Sequence, residues 1–183
     1  MKTIVICFLL CFNITLHAQL IDLNLKNGFK EFTFGDSRTK WQKDLGYFNA
    51  QGGDEYIGTC CHEILDFKAE RIYLYFENDK LYRIMIFIKI PDYDNNGCII
   101  TSDVSTAINS ISSYFGKPSN YKMNGVPFQA EWSASKINVW FYWTNIGDDL
   151  PYDQFPAGVA GKYISFISIM SNEYLNKQSQ MKF

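Results

Sequence analysis

The chain has 183 residues, with 17 basic and 19 acidic side chains, 5 cysteines and an aromatic set of 15 Phe, 12 Tyr and 4 Trp. A hydrophobic fraction of 47% and a net charge of −2 exclude an intrinsically disordered chain, which needs fewer apolar residues. The same charge balance argues against nucleic-acid binding, because phosphate backbones select for clustered Lys and Arg. Composition therefore indicates a globular protein of one domain, without indicating an activity.

The first 18 residues have the pattern of an export signal. Lys2 supplies the positive charge, Ile4–Phe12 the short apolar core, and Ala18 the small residue before a cleavage point. The apolar stretch is too short to span a bilayer, and no later segment reaches about 18 uninterrupted apolar residues. We therefore predict a periplasmic or secreted protein without a transmembrane segment, whose single domain covers residues 19–183.

The first half of that domain, about residues 29–90, is predicted to be a short helix followed by strands. Phe29–Phe34 favours a strand, and Asp36 is expected to cap a helix that ends at Gly46. Further strands are predicted over Thr59–Phe67, Arg71–Glu77 and Leu81–Ile90, with a tight turn at Asn78-Asp79.

The second half, about residues 101–170, repeats this order around the clearest helix of the chain. Its apolar residues recur at helical spacing from Val104 to Phe115, Thr101 or Ser102 caps it, and Gly116 ends it. Strands are predicted over Phe128–Trp132, Ile137–Thr144 and Lys162–Met170, and the polar tail 172–183 is expected to be frayed. The fold prediction is α+β: two helix-then-antiparallel-strands halves in one domain, with the helices on one face of the sheet.

Three short motifs carry a loose resemblance to known proteins. They are Phe34-Gly35-Asp36-Ser37, the segment 74–81 with its Asn-Asp-Lys-Leu turn, and Tyr114-Phe115-Gly116-Lys117-Pro118. These motifs resemble those of uncharacterised exported proteins of Bacteroidota type. The layout is distantly similar to β-lactamase-inhibitory proteins and small outer-membrane assembly lipoproteins. Those families bind other proteins, so the resemblance implies a binding role without catalysis.

Signal cleavage would leave three cysteines, Cys60, Cys61 and Cys98. Adjacent cysteines rarely bond each other, so Cys98 is expected to pair with Cys60 or Cys61, and the absence of any disulfide is the alternative. His62 is the one histidine of the mature chain. We expect it to be a polar neighbour and not a metal ligand or catalytic base, because strand geometry turns it away from Cys61.

The segment 92–103 partly matches a twelve-residue calcium loop. Asp92, Asp94 and Asn96 stand at positions 1, 3 and 5, a glycine follows at position 6, and Asp103 stands at position 12. Such spacing lets alternate side-chain oxygens converge on one ion. A weak structural calcium site is one interpretation, and the other is a polar turn whose Asp103 favours the following helix N-terminus.

The strands also predict an unusual second face of the sheet. A half-buried sheet normally places Thr, Lys or Glu outward, but here the outward positions carry Tyr, Trp, Phe and Arg, the composition of protein-binding hot spots. The residues predicted to contact a partner are Tyr73, Tyr75, Arg83, Phe87, Trp140 and Tyr142. The alternative is that the loop 145–161, or a second copy of the chain, covers this face.

These observations favour an exported non-enzymatic protein that binds a protein partner, of inhibitor, immunity or scaffold type, without a cofactor. A carbohydrate or small apolar ligand module is the first alternative, because Trp and Tyr also stack on sugar rings. A hydrolase with paired carboxylates is the second. A flat open face would favour the protein partner, a closed pocket the small ligand, and two acids across a cleft the enzyme.

Overall fold

A computed structural model describes residues 27–48, 53–64, 67–88, 101–122, 128–145 and 163–180. The helices in these ranges are α1 (Arg38–Trp41), α2 (Thr101–Phe115) and α3 (Asn172–Gln180), with a 3-10 turn at Gln42–Asp44. The strands are β1 (Gly28–Phe29), β2 (Phe32–Thr33), β3 (Leu45–Phe48), β4 (Gly53–Tyr56), β5 (Glu63–Ile64), β6 (Phe67–Glu77), β7 (Lys80–Ile88), β8 (Asn120–Lys122), β9 (Phe128–Ser133), β10 (Ile137–Asn145) and β11 (Tyr163–Ser171). The α+β class is confirmed. None of the described helices has the length and apolar character needed to cross a bilayer.

One antiparallel sheet forms the centre of the molecule. Its strands are hydrogen-bonded in the order β3-β4-β6-β7-β11-β10-β9-β8, β5 pairs with β6, and β1 and β2 form a separate hairpin. The pairing of β7 with β11 aligns Ile84 with Ile169 and Ile86 with Ile167. Residues distant in sequence thus form the middle of the sheet.

Alternate strand residues and the apolar stripe of α2 build the main core. The buried residues of this core include, from α2, Val104, Ala107, Ile108, Ile111 and Phe115, and, from β7 and β11, Ile84, Ile86, Ile88, Ile167 and Ile169. The helix therefore uses the face that its spacing predicts. Beyond its last residue, Gly116 has a φ of 82°, and its carbonyl accepts a hydrogen bond from the Trp132 indole at 2.7 Å.

The first helix differs from the prediction in its cap and its end. Ser37 caps it, because the Ser37 hydroxyl accepts a hydrogen bond from the Lys40 backbone N–H at 3.3 Å. Asp36 instead binds the Lys40 ammonium at 2.7 Å. Gly46 does not end the helix, since it lies in β3. The extended backbone there pairs with β4, a strand that the sequence did not predict.

The β6–β7 hairpin contains the predicted turn and an unpredicted bulge. Asn78 and Asp79 have φ values of 49° and 64°, as a tight hairpin turn requires. Next to the turn, Tyr75 pairs with Arg83 but Phe76 pairs with Leu81. The sequence alternation places Tyr82 on the core face with Ile84. That assignment is wrong, because the bulge adds a residue and Tyr82 packs against the opposite face.

The C-terminal tail is helical where fraying was expected. The Asn172 amide donates hydrogen bonds to the carbonyls of Ala134 and Ser135 at 2.6 and 3.1 Å. Two residues later, the Tyr174 ring stacks on Tyr82 with centroids 3.8 Å apart. Both anchors involve residues far away in sequence, so the polar pattern of the tail could not reveal them.

Two ion pairs differ in burial, and we expect them to differ in their contribution to stability. The buried Asp54 carboxylate accepts two hydrogen bonds from Arg38, both at 2.7 Å, whereas Lys177 and Glu77 form a more exposed pair at 3.0 Å. We expect Arg38→Gln to lower the free energy of unfolding by about 2 kcal/mol, since it strands a buried carboxylate. Lys177→Gln should cost less than about 0.5 kcal/mol in the same urea titration. Equal losses would contradict this assignment.

Candidate functional site

The sheet face opposite the main core carries a second cluster of large side chains. We call this side the aromatic face. Its fully buried members are Tyr73, Tyr75, Met85, Phe87 and Phe166, and Tyr82 and Tyr142 pack against them in partly buried positions. The predicted alternation of the two faces in β6, in the second part of β7 and in β10 is thus confirmed.

Four aromatic rings on this face form a continuous ladder across four strands. Tyr73 of β6 contacts Phe87 of β7 with ring centroids 5.8 Å apart, and Phe87 contacts Phe166 of β11 at the same separation. Phe166 then stacks on Tyr142 of β10 at 4.9 Å. Such contacts add to the stability given by burial alone, so the ladder helps to hold these strands together.

Along the ladder, only the last ring, on β10, is partly exposed. Tyr73, Phe87 and Phe166 are 2%, 4% and 3% exposed, whereas Tyr142 is only partly buried. The six predicted contact residues therefore divide into two groups. Tyr73, Tyr75 and Phe87 are buried, and Arg83, Trp140 and Tyr142 are half-buried. Only the second group can meet a ligand without rearrangement of the fold.

The accessible end of the aromatic face lies on β8, β9 and β10. Strand register places Glu131 and then Asn120 beside Trp140, and places Gln129 and then Lys122 beside Tyr142. We call these six residues the open strip: Trp140, Tyr142, Gln129, Glu131, Asn120 and Lys122. The Gln129 amide donates a hydrogen bond to the Tyr142 hydroxyl at 3.4 Å. The strip thus joins two aromatic rings to a border of hydrogen-bonding groups.

A small recess lies within the open strip. Its volume is about 240 Å³, and Tyr121, with 45% of its surface exposed, lines it together with the four polar members of the strip. Sequence reasoning missed these four residues. Gln129 and Glu131 follow from the alternation of β9, which was predicted, but Asn120 and Lys122 lie on β8, a strand too short to give a pattern.

A second cavity lies between the β6–β7 turn and α3. It encloses about 280 Å³ and is lined by aromatic side chains, among them Phe34, Tyr82 and Tyr174, and by charged ones, among them Glu77 and Lys177. Burial raises the pKa of Tyr82, so its hydroxyl stays protonated at neutral pH. No sequence signal predicted this cavity, because α3 itself was not predicted.

The cysteines differ from the expected pairing. Cys60 and Cys61 form a disulfide with each other, so the prediction that adjacent cysteines would not bond is wrong. The strand predicted from Thr59 begins only at Glu63, and Cys61 has a left-handed φ of 71°. The Tyr56 hydroxyl lies 3.0 Å from the Cys60 sulfur. Cys98 lies outside the described residues.

The metal-site hypotheses have no support in the described part of the chain. No group of three or more His, Cys, Asp or Glu side chains there could hold a metal ion. His62 instead lies 2.9 Å from the Gly58 carbonyl oxygen through its Nε2 and stacks on Tyr56. Asp92, Asp94 and Asn96 lie outside the described residues, as does the side chain of Asp103 in the first turn of α2, so the calcium loop stays a prediction.

Comparison with known protein families, curated proteins and solved structures finds no match to this chain. The resemblance to exported Bacteroidota-type and inhibitor-like proteins therefore stays a prediction. Function has to be inferred from the residues of the open strip and their surroundings.

Because the aromatic face has buried and half-buried members, we expect alanine substitutions in the two groups to lower the free energy of unfolding by different amounts. Tyr73→Ala removes a buried ring from the ladder and should lower the free energy of unfolding by about 3–5 kcal/mol. Trp140→Ala removes a half-buried ring and should cost about 1 kcal/mol. Urea denaturation of both variants measures the difference. A Trp140→Ala loss as large as that of Tyr73→Ala would mean that Trp140 belongs to the core.

The vicinal disulfide predicts a specific result in peptide mapping. Tryptic digestion without reductant should yield a peptide spanning residues 44–68 that is lighter by two hydrogens than its reduced form and resists iodoacetamide. Cys98 should react with iodoacetamide in the unfolded, unreduced protein, because neither of its two candidate partners is free. A disulfide-linked pair of peptides containing Cys98 would contradict the assignment.

Proposed function

We propose that this chain is an exported, non-enzymatic binding protein whose open strip contacts a protein partner. One observation carries the proposal: the last ring of the buried aromatic ladder, Tyr142, is partly exposed. It lies near the half-buried Trp140, and polar side chains border both rings. Rigid aromatic anchors surrounded by hydrogen-bonding residues are typical of the energetic centre of protein interfaces. Because the Tyr142 ring is already held by stacking on Phe166, it would lose little conformational freedom on binding.

The size and position of the strip favour a protein over a small ligand at this place. The recess of about 240 Å³ is smaller than the roughly 300–1,000 Å³ of ordinary small-molecule sites. β8 lies at the end of the strand order, next to the strip. A partner could therefore extend its contact from the strip over the sheet edge, towards the roughly 800 Å² per partner of a stable interface.

We also propose the two-half arrangement, with the helices on one face, as the scaffold for this function. The strand order supports it, because β3, β4, β6 and β7 of the first half are mirrored by β8, β9, β10 and β11 of the second. The halves meet where β7 pairs with β11. The packing of α2 into the main core is consistent with helices on that side, which leaves the aromatic face to a partner.

The second candidate function is carbohydrate binding in the cavity between the β6–β7 turn and α3. Its aromatic and polar lining is of the kind that sugars require, and its volume of about 280 Å³ lies just below the roughly 300–1,000 Å³ of ordinary small-molecule sites. The hydrolase alternative gains no comparable support. Asp36, Asp54 and Glu77, three of the described carboxylates, are each bound by a basic side chain.

Differential capture tests the proposed function. Immobilised chain 19–183 is exposed to the envelope fraction of its own producing organism, and compared with Trp140→Ala/Tyr142→Ala. Loss of two aromatic anchors should weaken partner binding by about 2 kcal/mol or more, roughly 30-fold, so the partner should be missing from the double variant.

Ile57→Ala is the matched control, because Ile57 is the most exposed large apolar residue described, at 60%, and lies beyond β4 at the opposite end of the sheet. It should capture the same partner as the wild type. Identical captures by all three proteins would contradict the proposal. A glycan bound on an array by wild type and double variant alike, but lost in Tyr174→Ala, would support the second candidate instead.

A further inference from the structure

Arg83 lies on the aromatic face, between the buried cluster and the open strip. Its Nε donates a hydrogen bond to the Ser168 hydroxyl at 3.0 Å, and its guanidinium lies over the Tyr75 ring, 5.2 Å from the centroid. Ser168 is also the cross-strand neighbour of Trp140. The guanidinium is therefore held in a defined position next to the strip, by two groups that carry no negative charge.

The three arginines of the chain differ in how their charge is balanced. Arg38 forms an ion pair with Asp54, and the charges of Glu55 and Glu70 act on Arg71. Arg83 is half-buried, yet it forms no ion pair with a carboxylate of the described residues. A partly desolvated charge without a counter-ion is costly for the free protein. A ligand that supplies the missing negative charge would offset this cost.

The groups around Arg83 stay neutral near pH 7. Its charge acts on the hydroxyls of Tyr75, Tyr82 and Tyr142, and burial raises the pKa of all three more than Arg83 lowers it. No phenolate forms there to neutralise the guanidinium. The hydroxyls remain O–H groups, which can donate hydrogen bonds to an anion.

We propose that Arg83 binds a carboxylate of the protein partner, from an Asp or Glu side chain or from the chain terminus. A carboxylate matches the planar guanidinium and its single charge. A phosphate dianion fits less well, because it carries two charges against the one of Arg83, and the negative charge of Glu131 on the same face opposes a dianion more strongly than a carboxylate. This inference rests on the proposed function and specifies which chemical group the partner presents.

Nitrogen NMR of the three arginine side chains tests the inference without the partner. The probes are three acetylated tripeptides: triglycine with a free carboxylate, triglycine amide, and Gly-Glu-Gly amide. The Nε–H resonance of Arg83 should shift saturably, in the millimolar range, with one or both carboxylate peptides and not with triglycine amide. The Arg71 resonance is the internal control and should stay in place. Equal shifts of both arginines, or none at Arg83, would overturn the inference.

Two variants separate a binding role from a structural one. Arg83→Met should keep or raise the Tm of the free protein, because it removes an unpaired charge, whereas a fall of more than about 3 °C would indicate that Arg83 serves the fold. Once a partner is captured, Arg83→Gln should weaken its binding by at least about 10-fold and Arg71→Gln by less than about 2-fold. A partner bound equally by both variants would overturn this inference and leave the proposed function standing.

Discussion

The antiparallel pairing of β7 with β11 is the contact on which the rest of the structure depends. It joins two strands that are far apart in sequence and places them in the middle of the sheet. Its register aligns Ile86 with Ile167 on the core face and Phe87 with Phe166 on the aromatic face. Because side chains alternate, a register shift of one residue would move every β11 side chain to the opposite face of the sheet, so its core residues would no longer match those of the other strands. Apolar residues on both sides of this pair therefore specify one register strongly.

The same pairing explains where the aromatic face is buried and where it becomes accessible. A sheet with apolar residues on both faces must be covered on both, and its centre is indeed buried on each side. Towards β8 the aromatic face changes from Phe166 through Tyr142 to Gln129, and from Ser168 through Trp140 to Glu131. Burial of the inner rings fixes the position of the outer ones. The stable part of the aromatic face thus acts as the support for its accessible part.

The charged residues on the two faces of the sheet differ in whether an opposite charge neutralises them. On the core side, the buried carboxylate of Asp54 has a bidentate partner in Arg38, as a structural charge requires. On the aromatic side, Arg83 is positioned by a hydroxyl and a ring but not neutralised by the described residues. The single hydrogen bond that Arg83 donates to Ser168 and its contact with the Tyr75 ring fix its geometry without neutralising its charge. Arg38 therefore stabilises the fold, whereas we propose that Arg83 binds the ligand.

Local pattern was enough to determine several elements of this protein. The stripe of α2, the turn at Asn78-Asp79 and the alternation of β10 depend on residues close in sequence, so they could be predicted. The same alternation assigned Trp140 and Tyr142 to the second face. Only the tertiary structure decided which members of that face are accessible, because exposure depends on what other segments cover.

The elements that the sequence did not predict all depend on distant partners. β4 becomes extended by pairing with β6, and α3 is held by Tyr82 and by the carbonyls after β9. The bulge in the β6–β7 hairpin moved Tyr82 to the other face, and the left-handed backbone of Cys61 brought two adjacent sulfurs together. A local sequence pattern shows which secondary structure each residue prefers, but it does not show the long-range contact that overrides this preference. For this chain the sequence alone determined the α+β class and the chemistry of the second face, whereas long-range pairing determined its open end and therefore the site.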